Sequence, residues 1–115
     1  MQRDVLLLAE MIDAAERAIE LVDGIDLPGL AEDRLRREAL LWNFTVLGEA
    51  SNAVSEGTRH AHPDVPWRSP VQLRNRIVHG YWSVDFSVLH TTAVDRLPGL
   101  VRLLRHVLDE LERRE

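Results

Sequence analysis

One hundred and fifteen residues, 45% of them hydrophobic, are enough for one buried core and argue against a disordered chain. The absence of cysteine excludes disulfides and thiolate metal sites. A net charge of −5 argues against binding a nucleic-acid duplex over the whole surface.

Charge is unevenly placed. Every one of the 14 cationic side chains is an arginine, which a GC-rich coding bias explains as well as phosphate recognition does. Arg59 to His79 holds four arginines and one acid, Asp64, so the remainder carries an excess of eight negative charges. A basic island in an acidic body suits a confined anionic ligand. The start, Met1-Gln2-Arg3-Asp4, runs straight into an amphipathic acidic pattern, unlike a signal peptide. No apolar run approaches the roughly 18 residues of a membrane span. These features predict a soluble, cytoplasmic protein with no membrane association, folded as one domain over residues 1–115.

The first predicted helix runs from Asp4 to about Val22, with Val5, Leu8, Ile12, Ala15, Ile19 and Val22 at three- and four-residue steps. Gly24 stops it. A second helix starts near Pro28 or Ala31 and reaches about Glu56, with Leu35, Leu40, Phe44, Leu47 and Val54 in its apolar rows. Gly48 and Ala50 are small enough for another helix to come close. Gly57 to Trp67 breaks the periodicity at Pro63 and Pro66. Ser69-Pro70 reads as an N-cap and first helical position, opening a third helix from Pro70 to about His79. Gly80 would end it in left-handed geometry, leaving His79 at a helix C-terminus where the dipole favours the protonated imidazole. A fourth helix begins near Asp85 with Phe86, Leu89 and Ala93 inward, and Pro98 kinks it or opens a fifth. Leu100, Leu103, Leu104, Val107, Leu108 and Leu111 carry the pattern onward. The fold expected is all-α, an antiparallel bundle of four or five helices.

Functional chemistry concentrates between Leu73 and Trp82. Arg74, Asn75, Arg76, His79 and Tyr81, the chain's only tyrosine, lie there beside the apolar pair Ile77 and Val78. Histidine can take the proton from an RNA 2′-hydroxyl or give one to the leaving oxygen. Arginine can hold the charge that builds on phosphorus. No metal or other cofactor is required by this chemistry, and DNA would be spared. Arg74 and His79, five residues apart, point about 140° apart on an ideal helix, so one chain makes a poor paired site. A two-fold homodimer could bring one chain's Arg74 to the other's His79. Asn75 shares a face with His79 and could orient the imidazole or a phosphate. The plainer interpretation is that Arg74 and Arg76 are solvated and His79 is a capping residue. Tyr81, beside Gly80, is either exposed enough to be modified or an ordinary packed turn aromatic.

Elsewhere the signals are weaker. His60-Ala61-His62 lacks a third ligand type and reads as a solvated loop rather than a metal site. Trp42 and Trp67 read as core or dimer-seam residues. Glu49 reads as a solvated helix residue, with a buried partnership to Arg74 the less favoured option.

Arg74-Asn75-Arg76-Ile77-Val78-His79-Gly80-Tyr81 resembles the Arg-x4-His-x-Tyr motif of the HEPN superfamily, in the form of HepT-like (DUF86) proteins. Leu47-Gly48-Glu49-Ala50, His62 to Arg68, Tyr81 to Asp85 and Asp95-Arg96-Leu97-Pro98 extend the resemblance over nearly the whole chain. It implies a dimeric helical bundle with the motif lining a cleft between subunits. It also implies a metal-independent endoribonuclease, the toxin of a type VII-like toxin–antitoxin system. A minimal nucleotidyltransferase antitoxin would neutralise it by AMPylating the motif tyrosine. On this carry-over Arg74 and His79 match the catalytic pair, Asn75 occupies the supporting polar position and Tyr81 is the modification site; Arg76 reads either as an RNA contact or as a solvated charge. The alternative is a non-catalytic subunit that binds substrate or partner for a nucleotidyltransferase, with a structural helical adaptor as a third option.

Overall fold

Alternation of apolar and charged residues at helical spacing places Leu8, Met11, Ile12, Ala15, Ala18 and Val22 along one stripe of the first helix, all buried. The computed structural model describes residues 2–114. Its helices are α1 (Gln2–Val22), α2 (Leu27–Ala31), α3 (Arg34–Ala53), α4 (Glu56–Ala61), α5 (Arg68–Gly80), α6 (Phe86–Thr91) and α7 (Leu97–Arg113). Tyr81–Ser83 forms a 3-10 turn, and a π-helical turn, Thr92–Arg96, joins α6 to α7. No strand occurs among the described residues.

The all-helical class is the one the periodicity predicts, but the count is seven rather than four or five. Among the described residues, two short helices, α2 and α4, account for the difference from five. The predicted second helix is divided because Asp26 caps α2 by accepting from the Gly29 N–H, and Asp33 caps α3 by accepting from the Arg36 N–H. It also ends at Ala53, short of Glu56, where Ser55 caps a new helix, α4, inside the stretch that the prolines made look irregular. Pro98 sits in the first turn of α7, where its missing N–H goes unneeded. The π-helical turn just before it is closed by the Leu97 N–H donating to the Thr92 carbonyl, five residues back.

Packing follows from which stripes are apolar. α1 packs against α3 and α7, and α3 packs on α5. Neighbours run antiparallel. The start of α1 meets the end of α3 through Asp4 and Ser55, while Arg36 near the start of α3 donates to the Leu21 carbonyl near the end of α1 at 3.0 Å. The core joins Leu8, Met11, Leu40, Phe44, Leu47, Leu89 and Leu104, all essentially removed from solvent. Trp67 joins that core, as one of the two expected alternatives, whereas Trp42 does not: it is 66% exposed on α3.

Two constraints tie the bundle. Asp4 is a buried carboxylate at the head of α1. It accepts from the Ser55 N–H at 3.0 Å and from the Ser55 and Thr58 hydroxyls at 2.6 Å each, joining α1 to the capped start of α4. The second is Gly48. A Cβ there would fall 2.6 Å from the Pro70 carbonyl oxygen and closer still to the Arg74 Cβ, so α3 and α5 approach at a distance only glycine permits.

Gly48→Ala should therefore destabilise the chain by about 1–3 kcal/mol, as α5 is pushed outward. Gly57→Ala in α4, where a new Cβ meets nothing within 4 Å, should be neutral or stabilising by up to about 1 kcal/mol. Urea denaturation of the two variants measures the difference. Burial by itself would raise the Asp4 pKa, but the hydroxyl and N–H bonds from Ser55 and Thr58 outweigh it and hold the carboxyl below its usual value. A depressed folded-state pKa gives stability that is present above the unfolded value, about 3.9, and lost as pH falls through the lower folded value. Asp4→Ala should cost about 1–3 kcal/mol at neutral pH. Its penalty should shrink below about pH 4, read from denaturation midpoints across that range.

Candidate functional site

Helix α5 carries the candidate residues, and its attachment explains their exposure. Only Pro70 and Ile77 are buried along it, with Leu73 half-buried between them. Spacings of three and four put these on one narrow stripe, leaving the other flanks to solvent. The start of α5 is fixed by Trp67, which is buried. Its indole N–H donates to the His62 carbonyl at 2.9 Å, and its own carbonyl accepts from the Ser51 hydroxyl at 2.7 Å. The expected Ser69 cap is not used: Trp67 takes the cap position without a side-chain bond, and Ser69 already lies inside the helix. Pro70 still falls in the first turn, where its lack of an N–H costs nothing.

The end of α5 also differs from expectation. Gly80 has φ −168°, ordinary extended backbone, and the only positive φ among the described residues belongs to Gly24. The chain passes from α5 into the 3-10 turn, closed by the Ser83 hydroxyl donating to the Gly80 carbonyl at 3.0 Å and by the Val84 N–H on the Tyr81 carbonyl. His79 lies in the last turn of α5 and is exposed.

Arg74 and His79 fall on different sides of α5, as their spacing predicts. Arg74 faces α3. Its Nε donates to Glu49 Oε1 at 2.7 Å, Nη2 contacts the same oxygen, and Nη1 donates to Asn75 Oδ1 at 2.7 Å. Glu49 is thus an ion-pair partner of Arg74 while half of its side chain stays in solvent, contrary to the favoured reading of a free helix charge. Asn75 is turned to Arg74 rather than to His79, which corrects the expectation drawn from their four-residue spacing.

His79 instead lines a shallow pocket of about 420 Å³ with Arg76, Gly80, Ser83 and Asp85. Arg76 and His79, three residues apart, are the cation and imidazole that one chain brings together; that spacing could have been read from the sequence. Leu73 and Val88 continue this pocket into a groove of about 990 Å³, floored by Phe44, Leu47 and Leu100 and also lined by Arg96 and Arg102. Tyr81 is 63% exposed and meets Trp82 edge to face, with ring centroids 5.3 Å apart. Tyr81 is thus a solvent-exposed residue rather than a packed turn aromatic.

Outside α5, His62 turns inward and lies 3.7 Å from Glu110, which His106 also meets at 3.3 Å. No group of three or more His, Asp or Glu suited to a metal occurs among the described residues. No helix among them is long and apolar enough to cross a membrane.

A family model described as ribonuclease HepT-like matches residues 11–107. A protein of Methanocaldococcus jannaschii named "Putative RNase MJ1380" is 30% identical over 100 residues, covering 86% of this chain and 92% of that protein. One of Thermococcus cleftensis named "Probable ribonuclease HepT" is 28% identical over 93 residues, covering 81% and 84%. No solved structure gives a significant match. A match that runs from α1 to α7, and takes in the helix bearing Arg74 and His79 and the turn bearing Tyr81, places this chain in the HepT-like ribonuclease family.

Proposed function

We propose that this chain is a metal-independent endoribonuclease, the toxin of a type VII-like toxin–antitoxin pair, acting in the cytoplasm as a homodimer of one-domain subunits. The observation that carries this reading is the exposed flank of α5, where Asn75, Arg76 and His79 stand in solvent beside the half-buried Arg74, in a chain of a ribonuclease family. His79 takes the proton of an RNA 2′-hydroxyl. The freed oxygen attacks the adjacent phosphorus, the 5′-oxygen leaves with the proton that the His79 imidazolium returns, and a 2′,3′-cyclic phosphate remains. Arg74 meets the charge that builds on the phosphoryl oxygens, with Asn75 fixing its guanidinium. Arg76, beside His79, holds a neighbouring phosphate. Because Arg74 and His79 diverge on one helix, the pair is completed across a two-fold axis.

Tyr81 is the regulatory position. A cognate minimal nucleotidyltransferase would join its phenol oxygen to the α-phosphorus of ATP, with loss of the phenol proton and release of pyrophosphate. The added AMP puts bulk and negative charge beside His79 and repels RNA. One observation favours the rival reading, a non-catalytic subunit that binds substrate or partner for a nucleotidyltransferase: Arg74 is already engaged by Glu49 and Asn75.

Incubation with RNA in EDTA separates the two. The ribonuclease reading expects cleavage, a fall of about 10²–10⁴-fold in His79→Ala, a comparable loss in Arg74→Ala, and no cleavage of the 2′-deoxy strand. A folded wild-type chain that cuts no RNA leaves the binding subunit. Co-expression with a cognate minimal nucleotidyltransferase should add an AMP-sized mass to the wild type and none to Tyr81→Phe. An increment that persists in Tyr81→Phe removes this residue from the scheme.

A further inference from the structure

The chain's tryptophans are treated differently by the fold. Trp67 is buried and hydrogen-bonded, whereas Trp82, in the turn directly after α5, is 76% exposed. Its position is set by a closed turn: Ser83 is bonded back to Gly80, and Val84 to Tyr81. Tyr81 stands at 78° to the Trp82 ring, so the two rings meet edge to face rather than stacking and covering each other. The chain leading to it is rich in arginine, although Asp85 shares the Arg76 pocket and Glu49 pairs with Arg74. Between Asp64 and Asp85 there is no acidic residue, the longest such stretch in a chain of net charge −5, and it contains Arg68, Arg74 and Arg76. Trp82 follows Arg76 by six residues, across the last turn of α5 and into the 3-10 turn.

We propose that Trp82, with Tyr81 beside it, is a stacking platform for an unpaired base of a single-stranded nucleic acid whose backbone runs toward Arg76. In a duplex both faces of a base are covered by its neighbours; only an unpaired base offers a π-face to an indole. The arginines meet the strand's phosphates, a charge match that a typical acidic-and-apolar protein surface lacks in this form. For its biological use the proposal rests on the ribonuclease reading, because the platform would present an unpaired segment to His79. Its physical content stands apart, since stacking requires no 2′-hydroxyl and no cleavage.

The test uses the full chain with His79→Ala, so that nothing is cut, and fluorescence anisotropy with labelled strands of about 10 nucleotides. The probes are oligouridylate, oligodeoxythymidylate, an abasic deoxyribose-phosphate strand and a duplex of equal length. Trp82→Ala should weaken binding of both base-bearing single strands about tenfold, and Trp82→Phe, which keeps a π-face, less than about threefold. The abasic strand should bind weakly and equally to all three chains. The proposal is overturned if Trp82→Ala binds as tightly as its parent, if the abasic strand matches the base-bearing one, or if the parent binds no single strand. It is also overturned if Trp82→Ala changes the sedimentation of the chain without changing strand affinity, which would make the surface a protein contact. RNA cleavage that needs His79 but ignores Trp82 would remove the platform and keep the ribonuclease. Trp82-dependent strand binding without any cleavage would do the reverse.

Discussion

The structure depends on the close approach of α3 and α5 at Gly48. That position lets the Pro70–Arg74 turn settle directly on the backbone of α3. Glu49, the next residue, is thereby carried alongside Arg74, and two N–H groups of the guanidinium meet one carboxylate oxygen. A bulkier residue at Gly48 would separate the backbones and pull the ion pair apart. One missing Cβ thus sets both the depth of α5 in the bundle and the direction in which its first arginine points. The pair itself adds little stability, since exposed ion pairs contribute about 0–1 kcal/mol. Its consequence is positional: it holds a long, flexible side chain against α3, with Nη1 left to donate to Asn75.

A second consequence concerns what α5 exposes. The helix is held mainly by Pro70, Leu73, Ile77 and by Trp67 ahead of it. Those contacts fill one stripe and leave Asn75, Arg76, Val78 and His79 in solvent. A longer apolar stripe would have fixed the helix more firmly while removing candidate residues from the surface. The firm anchoring at Trp67, with one bond to α3 and one to the loop after α4, makes up for that narrow contact at the end where it is needed. Effects of substituting Arg76 or His79 can therefore be assigned to chemistry, because neither side chain supports the core.

Much of this was legible in the residues. The apolar rows of α1, α3 and α7, the small residue at Gly48 and the divergence of Arg74 from His79 all follow from helical spacing, which is local and periodic. What escaped reading was set by tertiary partners or by short capping bonds. Asp33 and Ser55 divide what looks like one long helix, because a single side-chain oxygen suffices to end one backbone pattern and start another. Asp4 reads as an ordinary acid in an amphipathic helix; only folding brings Ser55 and Thr58 to it across some fifty residues. Gly80 was expected in the left-handed region because glycine after a helix commonly goes there, but a 3-10 turn satisfied the last carbonyls without it. Asn75 was assigned to His79 by spacing, and the neighbouring guanidinium, a stronger donor, captured its carbonyl instead.

The divergence of the two motif cations has a further implication. Within one chain the guanidinium that meets α3 already has acceptors in Glu49 and Asn75, whereas Arg76 faces the His79 pocket with no acid on α5 to oppose it. An incoming phosphate would meet Arg76 first, because that encounter requires no ion pair to be disturbed. Engaging Arg74 as well requires the anion to share it with Glu49, and a dianionic or strongly charged group competes better for it than a neutral ligand. Arg74 and Arg76, two residues apart, point about 200° apart around α5, so an anion in the His79 pocket reaches Arg76 without also reaching Arg74. Whatever draws on Arg74 must come from the α3 side and compete with Glu49, so the ion pair beside Gly48 separates the two arginines in what each can hold.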